Sequence, residues 1–242
     1  MDVYAAMARA HMAWFGTTQR QIAVVAAKNH LHALHNDRAY YRKQLAVEDV
    51  LAARARSFPL TVPMCAPITD GAAAVVVCGV HGLTGVGRGV RVLACAVGTG
   101  VERPLDASDQ HITRPLAGRA YEEAGVGPED VDVAEVHDAT AFSEIQLTEM
   151  LGLFEPGAGA EAAEVGVTAL GGRLPVNPSG GLESKGHPLG ATGLAQVYEL
   201  VRQLRGQGGA RQVPRARIAI AENGGGFYAG EEAVAAIMVL GV

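Results

Sequence analysis

Cysteine is scarce: the 242-residue chain holds three, Cys65, Cys78 and Cys95. None forms a C-x-x-C pair, which argues against zinc knuckles and redox couples. An odd number of thiols, each in an apolar run, predicts core residues and a reducing compartment. Long hydrophobic runs are missing as well. The longest uncharged apolar stretch, residues 72–80, is too short to cross a bilayer, which takes ~18 residues. Asp2 and Arg9 interrupt the apolar N-terminal segment, so it does not read as a secretory leader. An excess of positive charge is lacking too. The 20 Lys and Arg against 25 Asp and Glu leave a net charge of −5, which excludes a basic nucleic-acid footprint. These absences predict a cytoplasmic protein that binds neither nucleic acid nor membrane.

Glycine is abundant, 31 residues with no period of three, so tight backbone approaches are expected rather than a collagen repeat. Apolar residues make up 49%, enough for a substantial core. Residues 3–15 space their apolar side chains as a helix that stops at Gly16. Thr18-x-x-Gln21 is a capping box opening a second helix to about His35. The segment 37–47 carries Arg38, Tyr40, Tyr41, Arg42 and Lys43, and reads as a solvated loop or as an anion-binding edge. Residues 47–54 read as a short helix, and residues 72–78 as a buried strand. Four glycines within residues 82–89 mark a linker that divides residues 1–86 from residues 87–242. Beyond it, strands at 91–98, 131–137, 216–221 and 232–240 alternate with helices at 113–124, 141–151 and 191–205. That order predicts an α/β fold with a mixed sheet covered by helices.

Three polar, glycine-bearing stretches sit at the ends of these elements, where α/β proteins gather their sites. His137-Asp138 closes a strand, and its imidazole is suited to donating a hydrogen bond or exchanging a proton. The run Asn177 to Gly193 holds His187 between Gly186 and Pro188 just before a helix, whose free N–H groups favour a thioester or phosphate. Glu222-Asn223-Gly224-Gly225-Gly226 follows another strand, so Gly224 and Gly225 can present backbone N–H groups as an oxyanion hole. Each has a plain structural alternative: a buried histidine, a capping loop and a hairpin turn.

With G-H-P-x-G-x-T-G at the end of the second stretch, the chain resembles the thiolase superfamily. His137-Asp138-Ala139 is similar to the histidine motif of its sterol-carrier-protein type, Gly224-Gly225-Gly226 to its glycine triplet, and Asp70-Gly-Ala-Ala-Ala to the end of its N-terminal half. The resemblance implies a thiolase-like αβαβα layered fold, with a partial N-terminal half in residues 1–86 and a complete C-terminal domain in residues 87–242. It implies a coenzyme A thioester as substrate, with no bound cofactor and no metal. It sets residues 64–68, Ala66 and Pro67 among them, against the pantetheine arm, and leaves Arg42 and Lys43 for the phosphates. Two family cysteines are replaced or missing. One position is Glu222, two residues before the glycine triplet, and the sterol-carrier equivalent is Ala139; the segment bearing the nucleophilic cysteine has no counterpart.

What survives is His137, His187 and backbone donors, suited to a thioester enolate. This is similar to the cysteine-poor thiolase-like aldolases of steroid breakdown, which work with an OB-fold partner. Retro-aldol cleavage is therefore the favoured reaction, with Glu222, Tyr198 or Tyr228 as its base. The alternatives are an acyltransferase whose nucleophilic cysteine lies on a missing or separate segment, and a non-catalytic acyl-CoA-binding subunit. Residues 3–15 and 72–78 are apolar on more faces than half a domain covers. A homodimer or a hetero-oligomer, with an OB-fold protein or a second thiolase-like chain, is expected.

Overall fold

The computed structural model describes residues 1–79, 89–102, 111–228 and 232–242. Helix α1 (Asp2–Phe15) ends where Gly16 turns left-handed, at φ 75°, and returns its N–H to the Met12 carbonyl. The capping box forms as expected: the Thr18 side chain accepts from the Gln21 N–H, and the Gln21 side chain accepts from the Thr18 N–H. It opens α2 (Gln19–Ala33), which stops short of His35 where the chain turns at Asn36. The Asn36 amide donates to the Ser179 carbonyl. Helix α3 (Val47–Ala52) leads into a small hairpin, β1 (Ala55–Ser57) and β2 (Leu60–Thr61), too short for its pattern to register in the sequence.

The main sheet contains β3 (Arg91–Thr99), β4 (Val133–Glu135), β5 (Ile218–Gly225) and β6 (Val234–Gly241), in the order β3-β6-β5-β4. The pairs β3–β6 and β5–β6 are antiparallel and β4–β5 is parallel, the mixed sheet expected. Along β5 the side chains alternate. Ile220 enters a core with α4 (Thr113–Ala124) and α5 (Ala141–Met150), while Ala219 and Ala221 enter another with α7 (Thr192–Leu204). A third core joins α1 and α2 to the opposite side of α5 and to α6 (Gly159–Glu164).

Helix α5 is thus buried on every side, and its polar residues need internal partners. Glu144 receives Lys28 Nζ at 2.6 Å, Asn29 at 3.0 Å and Asn177 at 2.8 Å. Glu149 bonds His11 and the Gly159 N–H. Its N-terminus is capped by Thr140, whose side chain accepts from the Ser143 N–H, so the residues just before it are held rigidly.

Two expectations are corrected here. Residues 72–78 form no strand. They run as irregular chain with Val76 97% and Val77 79% exposed, because no described segment lies alongside to pair with their backbone. Cys78 and Cys95 are exposed rather than core residues; Cys95 sits on an outward face of β3, and Cys65 is half-buried. Residues 80–88, which hold most of the expected linker, lie outside the described residues. Among the described residues, no helix is long and apolar enough to cross a membrane.

Candidate active site

The two histidine loops are built around one stretch of extended chain. Past β4, Val136 donates to the Asn177 side chain at 2.9 Å. Asp138 then accepts the Leu182 N–H at 2.9 Å and the Asn29 amide at 3.2 Å. Gly181, at φ 62°, is required there: a Cβ would stand 2.1 Å from the Asp138 carboxylate. Ala66 donates to the Ala139 carbonyl at 3.0 Å, His187 donates to the Pro67 carbonyl at 3.1 Å, and Thr69 donates back to His187 at 3.3 Å. Segment 65–69 therefore clamps both loops.

The outcome is an edge-to-face pair, with the His137 and His187 ring centroids 4.8 Å apart at 90°. His137 Nδ1 lies 3.1 Å from Asn223 Oδ1, and His187 Nδ1 lies 2.7 Å from the Thr192 hydroxyl. Burial, then the nearby His137 and Lys185, pushes the His187 pKa down to about 4. Burial also lowers that of His137, against the favourable bond from Asn223. Both rings are neutral at pH 7.

Glu222 joins this pair. It lies inside β5, because the strand continues four residues past Ala221. One carboxylate oxygen accepts the His137 N–H at 3.1 Å, its carbonyl accepts Gln196, and Oε1 has no partner. Burial, reinforced by Glu232, lifts its pKa to about 8, so at neutral pH it carries a proton and enters as an acid.

Gly224 and Gly225 are strand residues too, in register with Ala235 and Val234. Their groups facing β6 serve the ladder. The other edge of β5 is unpaired by β4 beyond Ala221, where that strand ends. Glu232 packs over Gly224, where a Cβ would meet its Cγ at 2.3 Å.

The tyrosines are not brought to the pair. The Tyr198 hydroxyl accepts from Arg38 and Arg202 and lines a different cavity, with Thr69, Lys185 and Pro188. The two guanidiniums lower its pKa against burial. Tyr228 is half exposed past the end of β5 and bonds neither histidine. Ala66, Pro67 and Lys43 line a cavity of about 360 Å³ with His30, Arg54, Arg56 and Glu183, within the ~300–1,000 Å³ range of small-molecule sites. Arg42 is exposed and lies outside it.

Asn223, Thr192, Arg54, Arg56 and Glu183 are functional candidates that the sequence reading missed. Thr192 stands within the G-x-T-G run and Asn223 next to Glu222, so both were within sight. Nothing local marked Glu183 or the two arginines. Among the described residues, no cluster of His, Cys, Asp and Glu is arranged to hold a metal ion.

Cys78 and Cys95 are exposed, and Cys65 bridges to Thr140 and lines the cavity beside Ala66 and Pro67. Iodoacetamide should label exposed Cys78 and Cys95 quickly. It should label Cys65 slowly, since burial and Glu183 push its thiol up to about 11. Turnover should survive labelling of Cys78 and Cys95; mass spectrometry alongside an activity assay checks this, and loss before Cys65 is labelled would show that one of those thiols is needed.

Residues 106–240 match the family model described as thiolase C-terminal domain-like. The chain is 42% identical over 229 residues to an acetyl-CoA acetyltransferase of Methanothermobacter thermautotrophicus, covering 93% of this chain and 60% of that relative. It is 38% identical to the benzoylsuccinyl-CoA thiolase subunit BbsB of Thauera aromatica, covering 92% and 59%. It thus spans about three fifths of the length of these relatives. The solved Ltp2-ChsH2(DUF35) aldolase superposes with a TM-score of 0.79 at 20% identity, over 99% of this chain and 62% of that one, a likeness of fold. By the family match, the chain belongs to the thiolase C-terminal domain-like family, and it has the thiolase fold.

Proposed function

We propose that the chain carries the histidine-bearing part of an acyl-CoA active site that makes or breaks a carbon–carbon bond beside the thioester, with retro-aldol cleavage favoured. The observation that carries this reading is the edge-to-face pair His137 and His187 with buried Glu222 on the His137 N–H, while Ala139 and Glu222 stand at the two family cysteine positions. Such a group can take a proton from a β-hydroxyl and return one to an enolate without a thiol nucleophile. The Ltp2-ChsH2 structure, named an aldolase, supports a lyase on this fold. In this reading the histidine pair takes the β-hydroxyl proton and protonated Glu222 is the acid beside it; Tyr198 and Tyr228 are neither. Gly224, whose groups face the same edge as those of Glu222, supplies the backbone donor on the open edge of β5, while Gly225 faces β6.

An acyltransferase is the second reading, supported by the name of the acetyl-CoA acetyltransferase relative. It would draw its cysteine from a segment outside this chain. Product analysis separates the two: thiolytic cleavage consumes free CoA, whereas retro-aldol cleavage releases a carbonyl compound without it.

The cavity beside Ala66 and Pro67 is our proposed seat for the CoA arm, with Lys43, Arg54 and Arg56 for its phosphates in place of Arg42. Calorimetry with acetyl-CoA should show binding that Arg54→Glu and Arg56→Glu each weaken by roughly 10-fold, a charge-assisted bond being lost. Equal affinity in both variants would remove the phosphates from this rim.

The exposed valines of segment 72–78, with Trp14 and Phe15 on α1, support assembly with a second chain, of this or another kind. The subunit named in the benzoylsuccinyl-CoA thiolase relative supports it too. Light scattering should find a species larger than 25.1 kDa or an aggregating one. A monodisperse monomer with little dye binding would contradict it.

A further inference from the structure

The His187 ring is anchored through one nitrogen. Nδ1 lies 2.7 Å from Thr192 Oγ1, and that oxygen lies 3.2 Å from the Pro188 carbonyl. The Thr192 hydroxyl makes the back-bond of a helical threonine, its hydrogen given to the Pro188 carbonyl four residues earlier. Only lone pairs then remain for His187, and Nδ1 must carry the ring proton. The same carbonyl accepts the Ala191 and Thr192 backbone N–H groups at 2.8 and 3.0 Å, and Thr192 is buried as the first residue of α7.

We infer that Thr192 is a positioning residue that holds neutral His187 as its Nδ1–H tautomer and leaves Nε2 bare to accept a proton. His137 is held the same way from another element. The Asn223 amide nitrogen donates to the Gly224 carbonyl at 3.3 Å, which turns Oδ1 to the His137 Nδ1. At rest the pair therefore offers proton acceptors, not donors, to whatever lies over it.

What the bare nitrogen acts on rests on the acyl-CoA reading; the tautomer does not. In that reading, Nε2 takes the proton of a β-hydroxyl and the ring becomes imidazolium. The electron pair left on oxygen forms a carbonyl as the bond between the α- and β-carbons breaks. The pair from that bond passes to the thioester enolate, which takes back the proton at carbon. The products are a carbonyl compound and a shorter thioester, with no external oxidant or acid.

Long-range ¹H–¹⁵N correlation spectra of the histidine-labelled full chain test this without any substrate. Above the His187 pKa, the wild-type ring should show the Nδ1–H pattern, although free imidazole prefers Nε2–H. Thr192→Ser should keep that pattern. Thr192→Val should move it to Nε2–H or a mixture. With substrate, Thr192→Val should lower kcat by roughly 10–100-fold at little change in KM, and Thr192→Ser should restore it. A wild-type Nε2–H pattern, or a valine variant that retains Nδ1–H, would overturn the inference. If the tautomer moves as expected but no acyl-CoA turns over in any variant, the positioning role stands and the substrate reading fails.

Discussion

Replacing His187 by alanine should reduce turnover by ~10²–10⁴-fold, the usual worth of a positioned acid–base group. The backbone around it should stay in place, because the bonds to Pro67 and Thr69 are made by its main chain. The half-buried side chain makes one hydrogen bond, to Thr192, so its removal should cost stability no more than about 1 kcal/mol. Circular dichroism melts beside steady-state rates check both halves. A variant that melts earlier yet keeps its rate would make His187 a structural residue of the clamp. His137→Ala should behave in the same way for rate. Its stability loss should again be small, because the bond to Glu222 is made by the backbone N–H and survives the change.

Replacing Glu222 by glutamine should stabilise the folded chain, increasingly so as pH rises. The carboxyl is buried with one oxygen unpartnered, and its pKa is lifted from 4.5 to about 8. Between those values the unfolded chain has released this proton and the folded chain still holds it. Unfolding therefore releases a proton, and stability falls as pH rises. It is greatest below pH 4.5 and levels off above about 8. At ~1.4 kcal/mol per pKa unit the whole loss is on the order of 4–5 kcal/mol. Glutamine has nothing to titrate, so the stability difference between variant and wild type should widen across that window. Urea melts at pH 5, 7 and 9 measure it. A constant difference would mean that Glu222 titrates normally in the folded chain. The variant should also lose rate, since the amide cannot pass a proton on.

Much of this architecture was readable from local chemistry. Gly16, the Thr18–Gln21 box, the left-handed Gly125 that ends α4 and the alternation along β5 act within a few residues, so the sequence displays them directly. Residues 72–78 misled for the opposite reason: an apolar, β-branched run states a willingness to pair, and the partner is a tertiary fact. The end of β5 misled too. Glycines at 224 and 225 suggest a break, but the ladder to β6 carries the strand through them. His187 was legible from the glycine and proline around it, and His137 from its place at a strand end. Their partners Asn223 and Thr192 were not, since tautomer control depends on where a hydroxyl and an amide point. Tyr198 carried the right chemistry in the right helix. Arg38, 160 residues away in sequence, claims its hydroxyl.

Mass spectrometry of CoA thioesters tests the central claim most directly. A 3-hydroxyacyl-CoA is incubated, without free CoA, with the wild-type chain in the assembly in which it is purified, and in parallel with His187→Ala. The account predicts a shorter acyl-CoA and a carbonyl compound in equal amounts from the wild type, and neither from the variant. An unchanged thioester with the wild type, or equal product from the variant, would contradict it.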